Sequence, residues 1–106
     1  MPTVLGGTAA GPNLYQLSLT NVAQMAAVPA NPARAGLTIQ NNSAQVVTFT
    51  FGTTTPVSAA TGVQIPANTS TTIPASGMGT LGNLGAQVNF ISGSAGPNNC
   101  TVLEYF

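Results

Sequence analysis

The stretch GLTIQNNSAQVVTFTFG, residues 36–52, carries the clearest strand pattern in this chain. In its first part Leu37 and Ile39 alternate with polar residues, as in a strand that buries one face. The second part, residues 45–52, alternates in the same way and is rich in β-branched and aromatic residues. A polar cluster at 41–43 separates the two parts and is typical of a turn. The stretch therefore predicts two antiparallel strands joined in a hairpin.

Similar short runs lie on both sides of this stretch, separated by turn-forming residues. Residues 14–20 alternate, and residues 21–28 fit either a short helix capped by Asn21 or a strand. We favour the strand, because Pro29 ends the run after eight residues, which is short for a stable helix. Four further runs follow, at residues 63–65, 69–74, 86–92 and 100–106.

Seven or eight such runs, with no convincing helical period after residue 30, predict an all-β fold. Turn clusters at short intervals are typical of a β-sandwich, a jelly roll or a small barrel. We expect a single β-sandwich or jelly-roll domain of short antiparallel strands at residues 14–106, since 106 residues have room for one domain. Residues 1–13 hold three Gly and two Pro without a period, and there we expect an extended N-terminal arm.

Charged side chains are almost absent from the sequence. Arg34 and Glu104 are the two that it contains, 2% of the residues against about 25% in an ordinary domain. With zero net charge and no basic patch, the chain lacks the forces that drive binding to nucleic acids and to anionic membranes. No run approaches the ~18 apolar residues of a membrane span. We expect no nucleic-acid or membrane partner, and easy self-association, because like copies do not repel one another.

The same scarcity excludes most catalytic chemistry. One Glu, with no Asp and no His, cannot supply a pair of glycosidase carboxylates or a base for a Ser or Cys nucleophile. No cluster of metal-ligating residues, P-loop lysine or dinucleotide motif is present. Cys100 falls on the inward face of the last run, where a free thiol behaves as a small hydrophobic side chain. We expect a protein that is not an enzyme and that has no cofactor, metal or small-molecule substrate.

Arg34 lies in a turn, flanked by Pro and Gly, that leads into residues 36–41. It could be a solvated turn residue whose aliphatic stem covers apolar surface. Alternatively it pairs with Glu104, inside one subunit or across a subunit boundary, or its five donors hold backbone carbonyls. We favour a structural role, as an ion pair or a carbonyl clamp, over direct contact with a partner.

The segment PASGMGTLGNLGAQ, residues 74–87, interrupts the strand pattern. It has four Gly within nine residues, and Met78, Leu81 and Leu84 follow one another at a spacing of three. These apolar residues can fold back onto the domain, which is the interpretation that we favour. The alternative is an exposed loop that docks on a partner through them.

Five motifs follow one another over most of the chain: VPANPARAGLTIQNNS, VTFTFGT, GVQIPANTSTTIP, VNFISGSAG and TVLEYF. In this order they resemble small virion structural proteins of tailed bacteriophages, most closely the capsid decoration (cement) proteins. The resemblance implies a small β domain on the capsid surface of the virion, assembled as a homotrimer and bound to the major capsid protein. It also implies a role in the fold for Arg34 and Glu104, since both positions recur in the resembling sequences.

Two alternatives accompany this resemblance. Some decoration proteins clamp the capsid with an N-terminal arm, which makes Val4 and Leu5 candidate docking residues, but an ordinary chain terminus fits residues 1–13 equally well. The second possible function is a sugar-binding or adhesion module of a phage fibre or tail, in which Tyr15 and Tyr105 would supply a stacking platform. Tyrosines in such positions more often lie at the edge of the core with the hydroxyl in water.

Overall fold

The computed structural model describes residues 12–56, 62–74 and 84–106, and these residues form eight strands and no helix. In chain order the strands are β1 (Asn13–Leu19), β2 (Gln24–Val28), β3 (Gly36–Asn41), β4 (Val47–Phe51), β5 (Val63–Ile65), β6 (Ser70–Pro74), β7 (Val88–Ser92) and β8 (Asn98–Tyr105). The predicted all-β domain of seven or eight short strands is confirmed, as is the choice of a strand within residues 21–28. None of the described residues belongs to a helix that could cross a membrane.

The strands form two antiparallel four-stranded sheets that enclose one core between them. The first sheet has the strand order β1-β8-β3-β6, and the second sheet has the order β2-β7-β4-β5. Between consecutive strands the chain passes from one sheet to the other, except from β4 to β5, which lie side by side in the second sheet. This winding of eight strands is that of a jelly roll, one of the two architectures expected from the sequence.

The predicted hairpin between β3 and β4 is wrong. β3 pairs with β6 and β8, whereas β4 pairs with β5 and β7, so the polar cluster between them carries the chain across to the other sheet. Asn41 is fully buried at this corner. Its amide nitrogen donates hydrogen bonds to the carbonyls of Gln45, Ile65 and Pro66 at 2.7, 3.1 and 3.2 Å. The side chain thereby satisfies backbone groups that the crossing would otherwise leave buried without partners.

The core consists of inward-facing residues from all eight strands together with Leu84. The ring of Phe49 lies 5.8 Å from that of Phe51 and 6.1 Å from that of Phe90, centroid to centroid. Cys100 is buried in this core, as the alternation predicted. Phe106, which the same alternation placed inward, lies beyond the end of β8 and is 37% exposed. Alternation holds as long as the strand continues, and β8 ends one residue earlier.

Leu84 is buried, so this part of the segment 74–87 folds onto the domain. Outside the described residues lie the other four candidate docking residues, Val4, Leu5, Met78 and Leu81. β1 begins at Asn13, one residue before the predicted start of the domain.

Candidate functional site

The two charged side chains of the chain meet at one end of the sandwich. Glu104 lies on the inward face of β8, near its end, between β1 and β3. Arg34 lies in the turn before β3, and Asn31 stabilises this turn. The side-chain and backbone oxygens of Asn31 accept hydrogen bonds from the N–H groups two and three residues later, both at 3.0 Å. Ala35 then donates its N–H to the carbonyl of Tyr105 at 2.7 Å, which fixes the turn against β8.

Arg34 and Glu104 form a salt bridge within one chain, with Nε of the arginine 2.7 Å from Oε2 of the glutamate. Arg34 is 5% exposed and Glu104 is fully buried. The alternative of a solvated turn residue is therefore wrong, and no second subunit is needed to bring the charges together. Breaking a buried pair of this kind is costly, because the remaining charge stays buried without its partner.

The rest of the guanidinium of Arg34 holds backbone carbonyls. Nη1 donates to the carbonyl oxygens of Leu84 and Ala86, and Nη2 donates to that of Pro29, each at 2.6 Å. The two structural roles considered for this residue, ion pair and carbonyl clamp, are thus combined in one side chain. The carbonyls belong to the connection between β2 and β3 and to the one before β7, so Arg34 ties both connections to β8.

The second carboxylate oxygen of Glu104 is bound from β1. Oε1 accepts hydrogen bonds from Nδ2 of Asn13 at 3.0 Å and from the hydroxyl of Tyr15 at 3.2 Å. Sequence reasoning missed these partners, because Tyr15 and Glu104 are 89 residues apart and nothing local shows that β1 and β8 are neighbours. The available signal was a polar pair on the strand face that Leu17 and Leu19 mark as inward.

The two tyrosines do not form one stacking platform. Tyr15 points inward and donates its hydroxyl to Glu104. Tyr105 follows Glu104 directly on β8, so it lies on the outward face of the same sheet, where it is 40% exposed. A sugar ring could therefore not stack on both.

The surroundings of Glu104 decide the protonation states in this part of the molecule. Burial on its own raises the pKa of Glu104, but hydrogen bonds from Asn13 and Arg34 and the charge of Arg34 outweigh it, so that pKa lies below its ordinary value. Burial, and next the negative charge of Glu104, raise the pKa of the Tyr15 hydroxyl. Burial also raises the pKa of the Cys100 thiol, to about 12. At neutral pH Glu104 is ionised, while Tyr15 and Cys100 keep their protons.

These hydrogen bonds and the salt bridge connect segments of one and the same chain, and they hold those segments together. Through Glu104 and Arg34, the start of β1, the turn before β3, the residues before β7 and the end of β8 are held at one point. The chemistry of this centre is that of a buried cross-link between segments that are distant in the sequence.

A second feature is a depression of about 80 Å³ on the second sheet, lined by Val46, Thr48, Gln64, Ile91, Ser92 and Gly93. Sites for small molecules usually enclose about 300–1,000 Å³, so this depression is too small for a ligand of that size. Within residues 12–56, 62–74 and 84–106, no three His, Cys, Asp or Glu side chains are grouped as metal ligands.

Comparisons of the chain with protein-family models, with curated proteins and with solved structures find no match.

Proposed function

We propose that this protein is a non-enzymatic structural component of a tailed-bacteriophage virion. In this proposal it is a decoration (cement) protein that binds the major capsid protein on the outer capsid surface and reinforces the capsid. The observation that carries the proposal is the order of the five motifs from residue 28 to the end of β8, in which the chain resembles such proteins. The same resemblance implies a homotrimer at a symmetry position of the capsid.

The burial of both charged side chains supports binding to a capsid protein through neutral surfaces. Arg34 and Glu104 are the charged side chains of the chain, and both are buried, so the surface presents no charged side chain. Binding to a partner then has to come from apolar contact and neutral hydrogen bonds. Large apolar side chains are exposed for such contacts: Leu14, Val22, Met25, Val46, Tyr105 and Phe106.

Capsids of the source phage, stripped of this protein, provide the test. Purified protein should sediment with them and stay bound between low salt and about 0.5 M salt, because screening weakens charge attraction and leaves apolar contact intact. Decorated capsids should also withstand a higher temperature before they rupture than bare capsids do. Failure to bind, or release at moderate salt, would contradict the proposal.

A sugar-binding or adhesion module of a phage fibre or tail is the second candidate. The fold is compatible with both functions, since viral capsid domains and lectin domains both use jelly rolls, and fold alone does not decide function. The observation that favours sugar binding is a row of neutral polar side chains across the outward face of the first sheet, formed by Gln16, Thr101, Gln40 and Ser70. Consistent hits on a glycan array, with no binding to capsids, would favour this function over the first.

A further inference from the structure

Within residues 12–56, 62–74 and 84–106, each sheet has two edge strands, whose unpaired backbone groups can bind another strand unless something prevents it. These are β1 and β6 in the first sheet and β2 and β5 in the second. Charged side chains, lysine above all, are a common protection of such edges. This chain has no lysine and buries its one arginine, so its edges depend on other protections.

Three of the four edge strands carry such a protection. β2 is irregular: its register with β7 shifts, and Ala26 has a φ of 51° and donates its N–H to the side chain of Asn89 at 2.8 Å. β5 has three residues and is followed by Pro66. β6 has five residues and ends at Pro74. Irregularity, shortness and proline each disfavour the addition of another strand.

β1 is the least protected of these edges, since Pro12 precedes it but the strand itself is neither short nor irregular. It runs for seven residues, Asn13–Leu19, and pairs with β8 along this length without a shift in register. It contains neither proline nor a charged residue, and Leu14 on its outward face is 57% exposed. Glu104 anchors the start of the strand through Asn13 and Tyr15, so the edge is already ordered before a partner binds. Among the described residues, no strand pairs with its free side.

We propose that the free edge of β1 pairs antiparallel with β1 of a second copy of this chain, so that the first sheet continues from one subunit into the other. A second copy suits this edge because neither subunit has a charged side chain on its surface to repel the other. The pairing is two-fold, so it goes beyond the proposed function. It joins two single subunits into a dimer of twice the mass, and a trimer would have three such edges to pair.

The sequence of β1 is compatible with itself in this arrangement. Pairing along the full length of the strand places Gln16 opposite Gln16, Tyr15 opposite Leu17, and Leu14 opposite Ser18. The aromatic–aliphatic pair lies on the inward face, and such cross-strand pairs are favourable. No two like charges face each other, which would be the usual obstacle to self-pairing.

The substitution Gln16→Lys tests this pairing, because it places two lysines directly opposite each other. The matched control is Gln40→Lys. Both glutamines are exposed, and they flank Thr101 from opposite sides, Gln16 on the edge strand and Gln40 on the internal strand β3. The two variants therefore add the same charge to the same face and differ in whether it lies at the edge.

Sedimentation equilibrium over a range of concentrations measures the mass of each variant, and thermal unfolding establishes that each is folded. We expect Gln16→Lys to raise the dissociation constant of the two-fold contact by about fivefold, so that near the wild-type dissociation constant the mean mass falls toward that of the separated particles, while Gln40→Lys matches the wild type. A mixture of Gln16→Lys with Gln16→Glu should regain the wild-type mass, since opposite charges then face each other.

Three results would overturn the pairing: a wild type that stays monomeric or trimeric at all concentrations, an unchanged mass in Gln16→Lys, or an equal loss of mass in Gln40→Lys. Capsid binding is measured separately. A protein that shows the expected masses but does not bind capsids would overturn the proposed function and leave the β1 contact standing.

Discussion

Arg34 donates four hydrogen bonds, and one of them goes to a charged group. The guanidinium of Arg34 therefore has two roles. Its charge neutralises the buried Glu104, and its N–H groups satisfy three backbone carbonyls. An exposed pair of the same residues would contribute under ~1 kcal/mol. Disrupting this buried pair has a much larger free-energy cost. Each partner left behind would be a buried polar group without a hydrogen bond.

Removing either member of the pair should therefore destabilise the fold, and Arg34 should matter more. We expect Arg34→Met to lower the free energy of unfolding by about 3–5 kcal/mol, because it leaves a buried carboxylate without a cation and three carbonyls without a donor. Glu104→Gln should cost less, since Arg34 keeps its carbonyls and the new amide oxygen can still accept a hydrogen bond. Urea denaturation of the two variants measures both losses. Two equal losses below ~1 kcal/mol would contradict this account of the pair.

The lowered pKa of Glu104 predicts how stability depends on acidity. A carboxyl whose pKa is lower in the folded than in the unfolded chain stabilises the fold fully above its ordinary pKa, about 4.3 for glutamate. That contribution is lost as the pH falls through the lowered folded-state pKa. We expect the free energy of unfolding to decline with acidity below about pH 4.3, measured by urea denaturation at a series of pH values. In Glu104→Gln this part of the decline should disappear, and an unchanged profile would assign the acid sensitivity elsewhere.

At the scale of strands, the corner between β3 and β4 depends on one side chain. Asn41 donates to three carbonyls, and its own oxygen accepts hydrogen bonds from the hydroxyl and the N–H of Ser43 at 2.7 and 3.0 Å. A buried amide thus takes the place of the backbone hydrogen bonds that a hairpin would have made. Its neighbour Asn42 is exposed and donates to the hydroxyl of Thr101 at 3.0 Å.

Alanine substitutions at these two adjacent asparagines should have very different effects. We expect Asn41→Ala to cost at least about 2 kcal/mol, because it leaves several buried carbonyls without a donor. Asn42→Ala should cost under ~1 kcal/mol, since water can replace the lost contact at an exposed site. Thermal or urea unfolding of the pair measures the difference. Equal losses would mean that the corner does not depend on the buried amide.

In the molecule as a whole, the fold places β1, the first of the described strands, against β8, the last of them. β8 lies between β1 and β3 and carries both Cys100 and Glu104 on its inward face. The inward face of β8 is therefore accessible only when the sandwich opens, and the residues on that face report on the stability of the entire domain.

Cys100 provides a direct measure of that opening. Its thiol is buried and its pKa is raised to about 12, so a thiol reagent at pH 8 should react with the folded protein only through global unfolding. In the Arg34→Met variant, a loss of ~3 kcal/mol should speed the labelling by about a hundredfold, provided that reclosing outpaces the reaction. Labelling measured by mass spectrometry checks this rate. Rapid labelling of the wild type, or a rate unrelated to stability, would show that β8 opens locally.

Much of this fold could be predicted because the deciding signals are local. Alternation in residues 36–41 and 100–105 identified the strands and their inward faces, and Pro29 correctly favoured a strand for β2 over a helix. The same alternation is equally compatible with a hairpin and with a crossing between sheets, which is why the hairpin was predicted and is wrong. The signal for the crossing was a buried amide, and burial at residue 41 depends on segments distant in the sequence.

For the candidate site, too, one part could be predicted from the sequence and the other part depends on the tertiary structure. Composition alone determined that one cation and one anion exist, and that no other side chain could pair with either by charge. The tertiary structure decided that they meet inside one chain, that Arg34 also binds the carbonyls of Leu84, Ala86 and Pro29, and that β1 supplies the remaining partners of Glu104. The physical reason is that periodicity records which side of a strand faces the core, whereas the choice of neighbouring strands follows from how the whole chain buries its apolar and polar groups at once.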